Sequence, residues 1–227
     1  MATFHYSVKT GKRGTANEHS RYIARTGKYA QRSDDLIFTQ HGNLPQWATT
    51  PGEFWLGADK FERTNGSAYK EIVLALPIEL SPDQRLALVQ MFIAQQLYGK
   101  TYQFAIHCPI SALAQVLQPH VHIMYSDRIP DGIPRAPDQY FRRHNPLDPS
   151  AGGCKKDSGG RNPTELGAEL VQQRAAWAVL MNMHLSLNGH EARVDHRSNR
   201  DRGISSSPGP HLGPARIRGL QKDQGFI

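Results

Sequence analysis

The sequence predicts an α+β fold in which helices pack mainly on one face of a central antiparallel sheet. Short segments rich in β-branched and aromatic residues alternate with segments of helical periodicity. Two strand-like segments, 101–107 and 120–127, follow each other without an intervening helix, which favours antiparallel pairing between them. The chain has 227 residues, of which 38% are hydrophobic, so one substantial core can form.

The first third of the chain predicts one strand and two helices. Aromatic and β-branched residues alternate over 3–8, which is typical of a strand, and a turn with glycine and lysine follows. Thr15 or Asn17 can cap a helix that carries Tyr22. A second helix is predicted over 51–62, because proline is favoured in the first turn and apolar residues then recur at helical spacing.

The remaining elements follow the same rules. Segment 68–76 predicts a strand, and a Ser-Pro-Asp start predicts a helix over 81–97. After the two strands named above, a long helix is predicted from 164 to about 188, where glycine ends it. A short strand over 192–195 is also possible.

Two long segments have no predicted secondary structure. The loop at about 129–163 is rich in proline, glycine and basic residues, and loops of this length are usually functional or disordered. The tail at about 198–227 predicts an irregular conformation. We detect no internal repeat, and we expect residues 1–227 to form a single domain.

The composition favours a cytoplasmic protein with a polyanionic partner. The formal net charge is +7 and the isoelectric point about 9.5, so nucleic acid is the leading candidate. Two cysteines in no metal-binding arrangement fit a reducing compartment and exclude a disulfide framework. Neither a membrane-spanning segment nor a signal-peptide pattern is present in the sequence.

The segment 119–124, which reads Pro-His-Val-His-Ile-Met, predicts half of a metal site. Successive side chains of a strand point to opposite faces, so His120 and His122 share one face while Val121 points into the core. If the preceding strand pairs antiparallel with this one, its last residue, His107, lies across from them. Alone, the two histidines are as well explained by a half-buried polar pair, and the third histidine favours a metal site.

Three imidazoles would form an open site, which is typical of catalytic rather than structural metal centres. A divalent ion bound by neutral ligands keeps its charge and can polarise a phosphodiester. The attacking group is then either water or a tyrosine hydroxyl, and the hydroxyl would give a covalent intermediate. The residues alone leave both possibilities open.

Several short motifs, in one order along the chain, resemble those of the MobA/MobL-type conjugative relaxases. They are the segments 1–6, 22–30, 69–71 with 75–77, 119–122, 127–132, 195–197 and 211–214. Each motif alone has low specificity, whereas the ordered set spans nearly the whole chain and is specific.

This resemblance implies an HUH endonuclease with a ferredoxin-like or RRM-like core. Such enzymes nick one DNA strand at a plasmid's origin of transfer, remain attached to the 5′ phosphate through a tyrosine, and later rejoin the ends. The family pattern assigns Tyr22 as the nucleophile and Glu71 as an acidic residue that orients an imidazole or assists proton transfer. It assigns three metal ligands, which would bind Mn²⁺ or Mg²⁺: His107, His120 and His122.

Each of these roles has a simpler alternative. Without the resemblance, Tyr22 is best explained as an ordinary residue of an amphipathic helix. Tyr29 lies about two helical turns further on and is a rival nucleophile if the helix continues, although Gly27 argues against that. For Glu71 the alternative is a strand carboxylate paired with Lys70 or an arginine.

The resemblance also implies single-stranded DNA at the origin of transfer as substrate, with relaxosome accessory proteins and a type IV coupling protein as further partners. Basic residues near the nucleophile and in the long loop are the candidate DNA contacts: Arg25, Lys28, Arg142, Arg143, Lys155, Lys156 and Arg161. The simpler interpretation is a solvated helix surface for Arg25 and Lys28, and a disordered surface insertion for the loop residues. The alternative functions are an HUH replication initiator or transposase, a metallohydrolase that uses water, and a non-catalytic DNA-binding module.

Overall fold

A computed structural model describes residues 3–111, 115–206 and 219. Within them, one antiparallel sheet has the strand order β1-β3-β5-β4-β2, so β3, β5 and β4 lie at its centre. Its strands are β1 (Tyr6–Lys12), β2 (Leu36–Gly42), β3 (Ser67–Ala75), β4 (Tyr102–His107) and β5 (His120–Tyr125).

The structure describes five α-helices, and the second, third and fifth of them begin at side-chain caps. The predicted cap Thr15 of the first helix makes no such bond, and the short fourth helix lies in the loop for which no secondary structure was predicted. The described helices are α1 (Ala16–Ile23), α2 (Pro51–Phe61), α3 (Pro82–Gln96), α4 (Pro137–Tyr140) and α5 (Pro163–Leu187). Ser81 and Asn162 form capping boxes at the starts of α3 and α5, each followed by a proline in the first turn. These contacts satisfy backbone N–H groups that the first helical turn leaves unpaired. None of the described helices is long and apolar enough to span a membrane.

Helices α3 and α5 cover one face of the sheet and form the larger core. Phe92 and Trp177 from these helices pack with Ile72, Phe104 and Ile123 of the central strands, and all five are fully buried. Burying a side chain of this size contributes roughly 1.5–3 kcal/mol. Helices α1 and α2 cover part of the opposite face, so the rest of that face is available for a site. The predicted α+β class is confirmed.

The first strand lies later in the chain than the predicted segment 3–8. It runs through Gly11, where a side chain could not fit, because a Cβ atom would lie 1.9 Å from the Tyr69 ring. The strand therefore continues past this glycine with a bulge, and the turn predicted to follow the strand lies at 13–14.

Strand β2 was not predicted. Its side chains alternate between half-buried and exposed, so its hydrophobic pattern is weak, as expected for an edge strand. The possible strand at 192–195 is absent from the described residues. There the Asn182 side chain makes two hydrogen bonds with the backbone of Val194, which satisfies groups that a strand partner would otherwise bind.

The long basic loop is folded around two buried arginines. Arg128 donates hydrogen bonds to the carbonyl oxygens of Phe141, Arg142 and Cys154 and to the Glu62 carboxylate. Arg135 similarly binds backbone carbonyls and an acidic side chain within the loop. The motif at 211–214 lies outside the described residues, as does most of the predicted irregular tail.

Candidate active site

The structure brings the three predicted ligand histidines together on the face of the sheet that α1 and α2 only partly cover. The predicted antiparallel pairing of β4 and β5 is confirmed, and it places His107 directly opposite His120. The three imidazole rings lie 5.1–5.5 Å apart, centroid to centroid. One nitrogen from each of His107, His120 and His122 lies within 4.8 Å of the others, so the group could hold a metal ion.

Each ring is oriented by a hydrogen bond from one of its nitrogens. His107 Nε2 donates to the carbonyl oxygen of Ile23 (2.7 Å), and His120 Nδ1 donates to that of Gln118 (2.9 Å). A carbonyl oxygen can only accept, so these contacts select one tautomer and leave the other nitrogen with a lone pair. This donor set fits a divalent first-row cation, because such ions bind neutral imidazoles.

Burial keeps His107 neutral. It lowers the pKa of the fully buried His107 to about 4, and the nearby positive charge of Arg25 acts in the same direction. Burial also lowers the pKa of His120. At neutral pH both imidazoles are therefore free to act as ligands.

We expect the metal-free protein to lose stability as the pH falls from about 6.5 to about 4. The unfolded chain binds a proton at His107 near pH 6.5, whereas the folded protein binds it only near pH 4. The stabilisation that neutral His107 contributes is therefore complete above pH 6.5, and about 3 kcal/mol of it is lost between pH 6.5 and pH 4. Urea unfolding in EDTA at a series of pH values measures it. A His107→Gln variant with the same pH slope as the wild type would contradict this assignment.

Glu71 is a buried carboxylate between two histidines. Its Oε1 atom accepts hydrogen bonds from Nδ1 of His122 (2.7 Å) and Nε2 of His19 (2.8 Å), and the side chain is 3% exposed. Burial alone would raise the pKa of Glu71, but the hydrogen bonds and charges of the two histidines outweigh burial and hold it well below its usual range. Glu71 therefore stays ionised and fixes the orientation of the His122 ring.

The sequence analysis did not identify His19 as part of the site. This residue lies on α1 one helical turn before Tyr22, and its ring stacks between those of Tyr69 (5.0 Å) and Tyr22 (6.0 Å). Residues three positions apart share a helix face, so the spacing between His19 and Tyr22 was the available signal. Its contact with Glu71 connects α1 to a candidate metal ligand.

Tyr22 lies beside the three histidines. Its half-buried ring meets the His122 ring edge-on, with 6.4 Å between centroids. Helix α1 ends at Ile23, and the rival Tyr29 belongs to the following 3₁₀ segment, Gly27–Asp35. Tyr29 packs against the outer side of Tyr22, and its hydroxyl lies 3.5 Å from the Glu18 carboxylate. Of the two tyrosines, Tyr22 is the one in ring contact with a candidate ligand.

The two basic residues predicted near the nucleophile have different environments. Arg25 is 8% exposed and makes a bidentate ion pair with Asp35, so it lies inside the site rather than on the surface. Lys28 is exposed and pairs with Glu18. A phosphate contact by Arg25, which remains a prediction, would require its guanidinium to give up part of the Asp35 pair.

The basic residues of the long loop also divide into two groups. Arg143 and Lys155 are exposed, and Arg142 is exposed but paired with Asp138. Lys156 is half-buried against Glu62, and Arg161 pairs with Asp157 and Glu169.

Four of these loop residues, together with Arg63, line one cleft of about 300 Å³, which we call the basic cleft: Arg142, Arg143, Lys155 and Lys156. It lies beyond the end of β5 opposite to His120. The six residues of β5, a length of roughly 20 Å, separate the basic cleft from His120.

Comparisons with known proteins place these observations in a family context. A family model described as the MobA/MobL family matches residues 11–222. The 43 kDa relaxation protein of Salmonella typhimurium is 48% identical over 207 residues, which cover 90% of this chain and 56% of that protein. Mobilization protein A of Escherichia coli is 39% identical over 237 residues, which cover 100% of this chain and 32% of that protein. The chain thus spans only about half or a third of the length of these relatives.

The fold also resembles that of a solved structure described as "Molecular Basis of Vancomycin Resistance Transfer in Staphylococcus aureus". The TM-score is 0.62 at 19% sequence identity, and the match covers 87% of this chain and 100% of that one. At this identity the likeness shows the fold alone.

Proposed function

Since the chain belongs to the MobA/MobL family, we propose that it is a relaxase that nicks one strand of plasmid DNA at an origin of transfer. In this proposal the Tyr22 hydroxyl attacks the scissile phosphodiester and forms a covalent 5′-phosphotyrosine intermediate. The observation that carries the proposal is the position of Tyr22 against a cluster of three imidazoles. We also propose that residues 1–227 form one relaxase domain.

The proposed reaction is a reversible exchange of ester bonds. The bond between the phosphorus and the 3′ oxygen breaks as the bond to the Tyr22 oxygen forms, and the phenolic proton is transferred to the medium or to a nearby base while the 3′ oxygen gains one. A 3′ hydroxyl can later attack the phosphotyrosine and restore the DNA strand. Neither step consumes water, so the energy of the cleaved phosphodiester bond is conserved in the phosphotyrosine bond until the strand is rejoined.

The metal centre is the second part of the proposal. His107, His120 and His122 would hold Mn²⁺ or Mg²⁺, and Mn²⁺ is the better match because imidazole ligands favour it over Mg²⁺. When bound, the ion would polarise the phosphodiester and stabilise the charge that develops on it. Glu71 would keep His122 in the orientation and tautomer that ligation needs.

Single-stranded DNA is the proposed substrate, and the basic cleft is the proposed contact for the DNA flanking the scissile phosphate. We further propose that relaxosome accessory proteins and a type IV coupling protein act with the enzyme in mobilisation. Arg143 and Lys155 are the strongest candidates for phosphate contacts because they are exposed and no ion pair with an acidic residue is seen for them in the described part of the chain.

We expect the double variant Arg143→Ala/Lys155→Ala to bind origin DNA more weakly and with less dependence on salt. Two lost phosphate contacts should reduce the slope of log affinity against log salt by about 1.4 for single strands. Fluorescence anisotropy at several salt concentrations measures this slope. Arg200→Ala, which removes an exposed arginine of the C-terminal segment, serves as the control. An unchanged slope in the double variant would exclude the basic cleft as a DNA contact.

The catalytic proposal is tested with Mn²⁺ and labelled single-stranded oligonucleotides that tile the transfer origin of the encoding plasmid. The expected product on a denaturing gel is a protein adduct of the 3′ fragment, attached through that fragment's 5′ phosphate. Cleavage without any adduct would instead support a nuclease that uses water. The alternative initiators and transposases generally place their tyrosine after the His-x-His motif, whereas Tyr22 precedes it.

A further inference from the structure

Arg25 has a backbone conformation that is unusual for its residue type. Its φ of 52° is in the left-handed region, immediately after α1. Thr26 N–H binds the carbonyl oxygen of Arg21 and Arg25 N–H binds that of Tyr22, which together form a Schellman motif. Glycine is the usual residue at this position because a side chain is strained there. The strain at Arg25 must therefore be offset by the contacts of its side chain.

The Arg25 side chain contacts groups on both sides of the site. Its Nη1 donates to the Tyr22 carbonyl oxygen (2.7 Å). Its Nη2 donates to His107 Nδ1 (3.3 Å), the nitrogen that a bound metal would need, so this contact and metal ligation exclude each other. The guanidinium carbon lies 4.8 Å from the centre of the Tyr22 ring. The Arg25 side chain therefore lies between the proposed nucleophile and a proposed metal ligand.

Asp35 anchors this guanidinium to the sheet. It accepts hydrogen bonds from Nε (2.9 Å) and Nη2 (2.7 Å) of Arg25. Its own carbonyl oxygen accepts from the backbone N–H of Cys108 (2.7 Å), and it directly precedes β2, whose first residue, Leu36, pairs with His107. The carboxylate thus has a fixed position relative to the candidate metal ligand. Because the planar guanidinium binds this carboxylate with two hydrogen bonds, it holds the end of α1 in a fixed position as well.

We propose that Arg25 is a positioning residue that, together with Asp35, fixes Tyr22 relative to His107. This inference rests on the proposed function, because it assigns the pair a role in presenting the nucleophile. It differs from a phosphate contact in what it requires of the side chain. Positioning needs the planar, bidentate guanidinium, whereas attraction of a phosphate needs mainly a positive charge, which lysine would also supply.

The test compares Arg25→Lys and Asp35→Asn with the wild type in two measurements. In single-turnover reactions with Mn²⁺ and an origin oligonucleotide, we expect each variant to form adduct about 10- to 100-fold more slowly, with oligonucleotide affinity within about twofold of the wild type. In the metal-free protein, carbon-13 labelling of tyrosine rings should show a shifted or exchange-broadened Tyr22 signal, assigned with Tyr22→Phe. The second measurement does not depend on catalysis.

The outcomes separate this inference from the proposed function. Three results together would overturn positioning in favour of a phosphate contact. Arg25→Lys would bind the oligonucleotide more weakly, its Tyr22 signal would be unchanged, and Asp35→Asn would form adduct at the wild-type rate. If the wild type forms no adduct but the Tyr22 signal still depends on Arg25 and Asp35, the proposed function fails while the positioning contact stands. An Arg25→Gly variant controls for folding, since glycine relieves the backbone strain. An unchanged melting temperature in this variant would show that slow adduct formation does not come from misfolding.

Discussion

Replacing Tyr22 with phenylalanine should abolish the covalent adduct and reduce strand cleavage by at least about 10³-fold. The substitution removes only the phenolic oxygen. The ring contacts with His19, Tyr29 and His122 involve the aromatic ring and are retained. Because the side chain is half-buried and its volume hardly changes, we expect a melting temperature close to that of the wild type.

Tyr29→Phe is the matched control for this experiment. Tyr29 packs edge-on against Tyr22 and so belongs to the same aromatic group, but its hydroxyl lies near Glu18 rather than near the histidines. The control should form adduct at the wild-type rate on denaturing gels. If Tyr29→Phe lost the adduct and Tyr22→Phe retained it, the assignment of the nucleophile would be wrong; cleavage that persists in both without an adduct would indicate attack by water.

The histidine cluster could be predicted from sequence because two strict local rules determine it. Alternation along a strand places His120 and His122 on one face, and an antiparallel neighbour places His107 opposite them. Neither rule depends on distant parts of the chain. The capping signals of α3 and α5 are equally local, and both helices start where the sequence indicates.

The surroundings of the cluster could not be predicted in the same way. The edge strand β2 has too weak a hydrophobic pattern to be recognised, and Asp35 directly precedes it. The sequence does not reveal that Asp35 lies near the site, so it cannot distinguish a buried, paired Arg25 from an exposed one. The interpretation of Arg25 as a candidate phosphate contact therefore followed from its charge and its proximity to Tyr22 alone.

The long loop illustrates the same difficulty on a larger scale. From sequence, its basic residues predict DNA contacts, with a disordered surface insertion as the alternative. In the structure, Arg128 and Lys156 turn inward to Glu62 at the end of α2, while Arg143 and Lys155 face solvent. Arg128 and Glu62 are 66 residues apart in sequence, so no local pattern reveals their ion pair. Removing Glu62 would leave the buried Arg128 without its carboxylate, and removing Arg128 would break the hydrogen bonds that it makes to the loop backbone. Both changes would disturb the fold, which makes these two residues unsuitable for testing DNA binding.

Replacing His122 with glutamine should have the second large effect, a loss of metal binding together with catalysis. Two imidazoles would remain, and because substitutions in the second shell alone cost 10- to 100-fold in metal affinity, loss of a ligand should weaken Mn²⁺ binding by more than about 100-fold. The glutamine amide can still donate to Glu71, so the carboxylate keeps a partner and the fold should persist. Isothermal titration with Mn²⁺ after chelation measures the affinity, and adduct formation should be lost in parallel.

A graded series makes this prediction specific to the metal centre. Glu71→Gln removes the charge that orients His122 without removing a ligand, so its Mn²⁺ affinity should fall between those of the wild type and His122→Gln. His41→Gln, an exposed histidine of β2, is the control and should leave the affinity unchanged. If His122→Gln bound Mn²⁺ as tightly as the wild type, the three histidines would be a polar cluster rather than a metal centre. A non-catalytic DNA-binding module would then be the better explanation of this chain. The basic surface of the protein would remain, whereas attack by Tyr22 would lack the metal ion that polarises the phosphodiester.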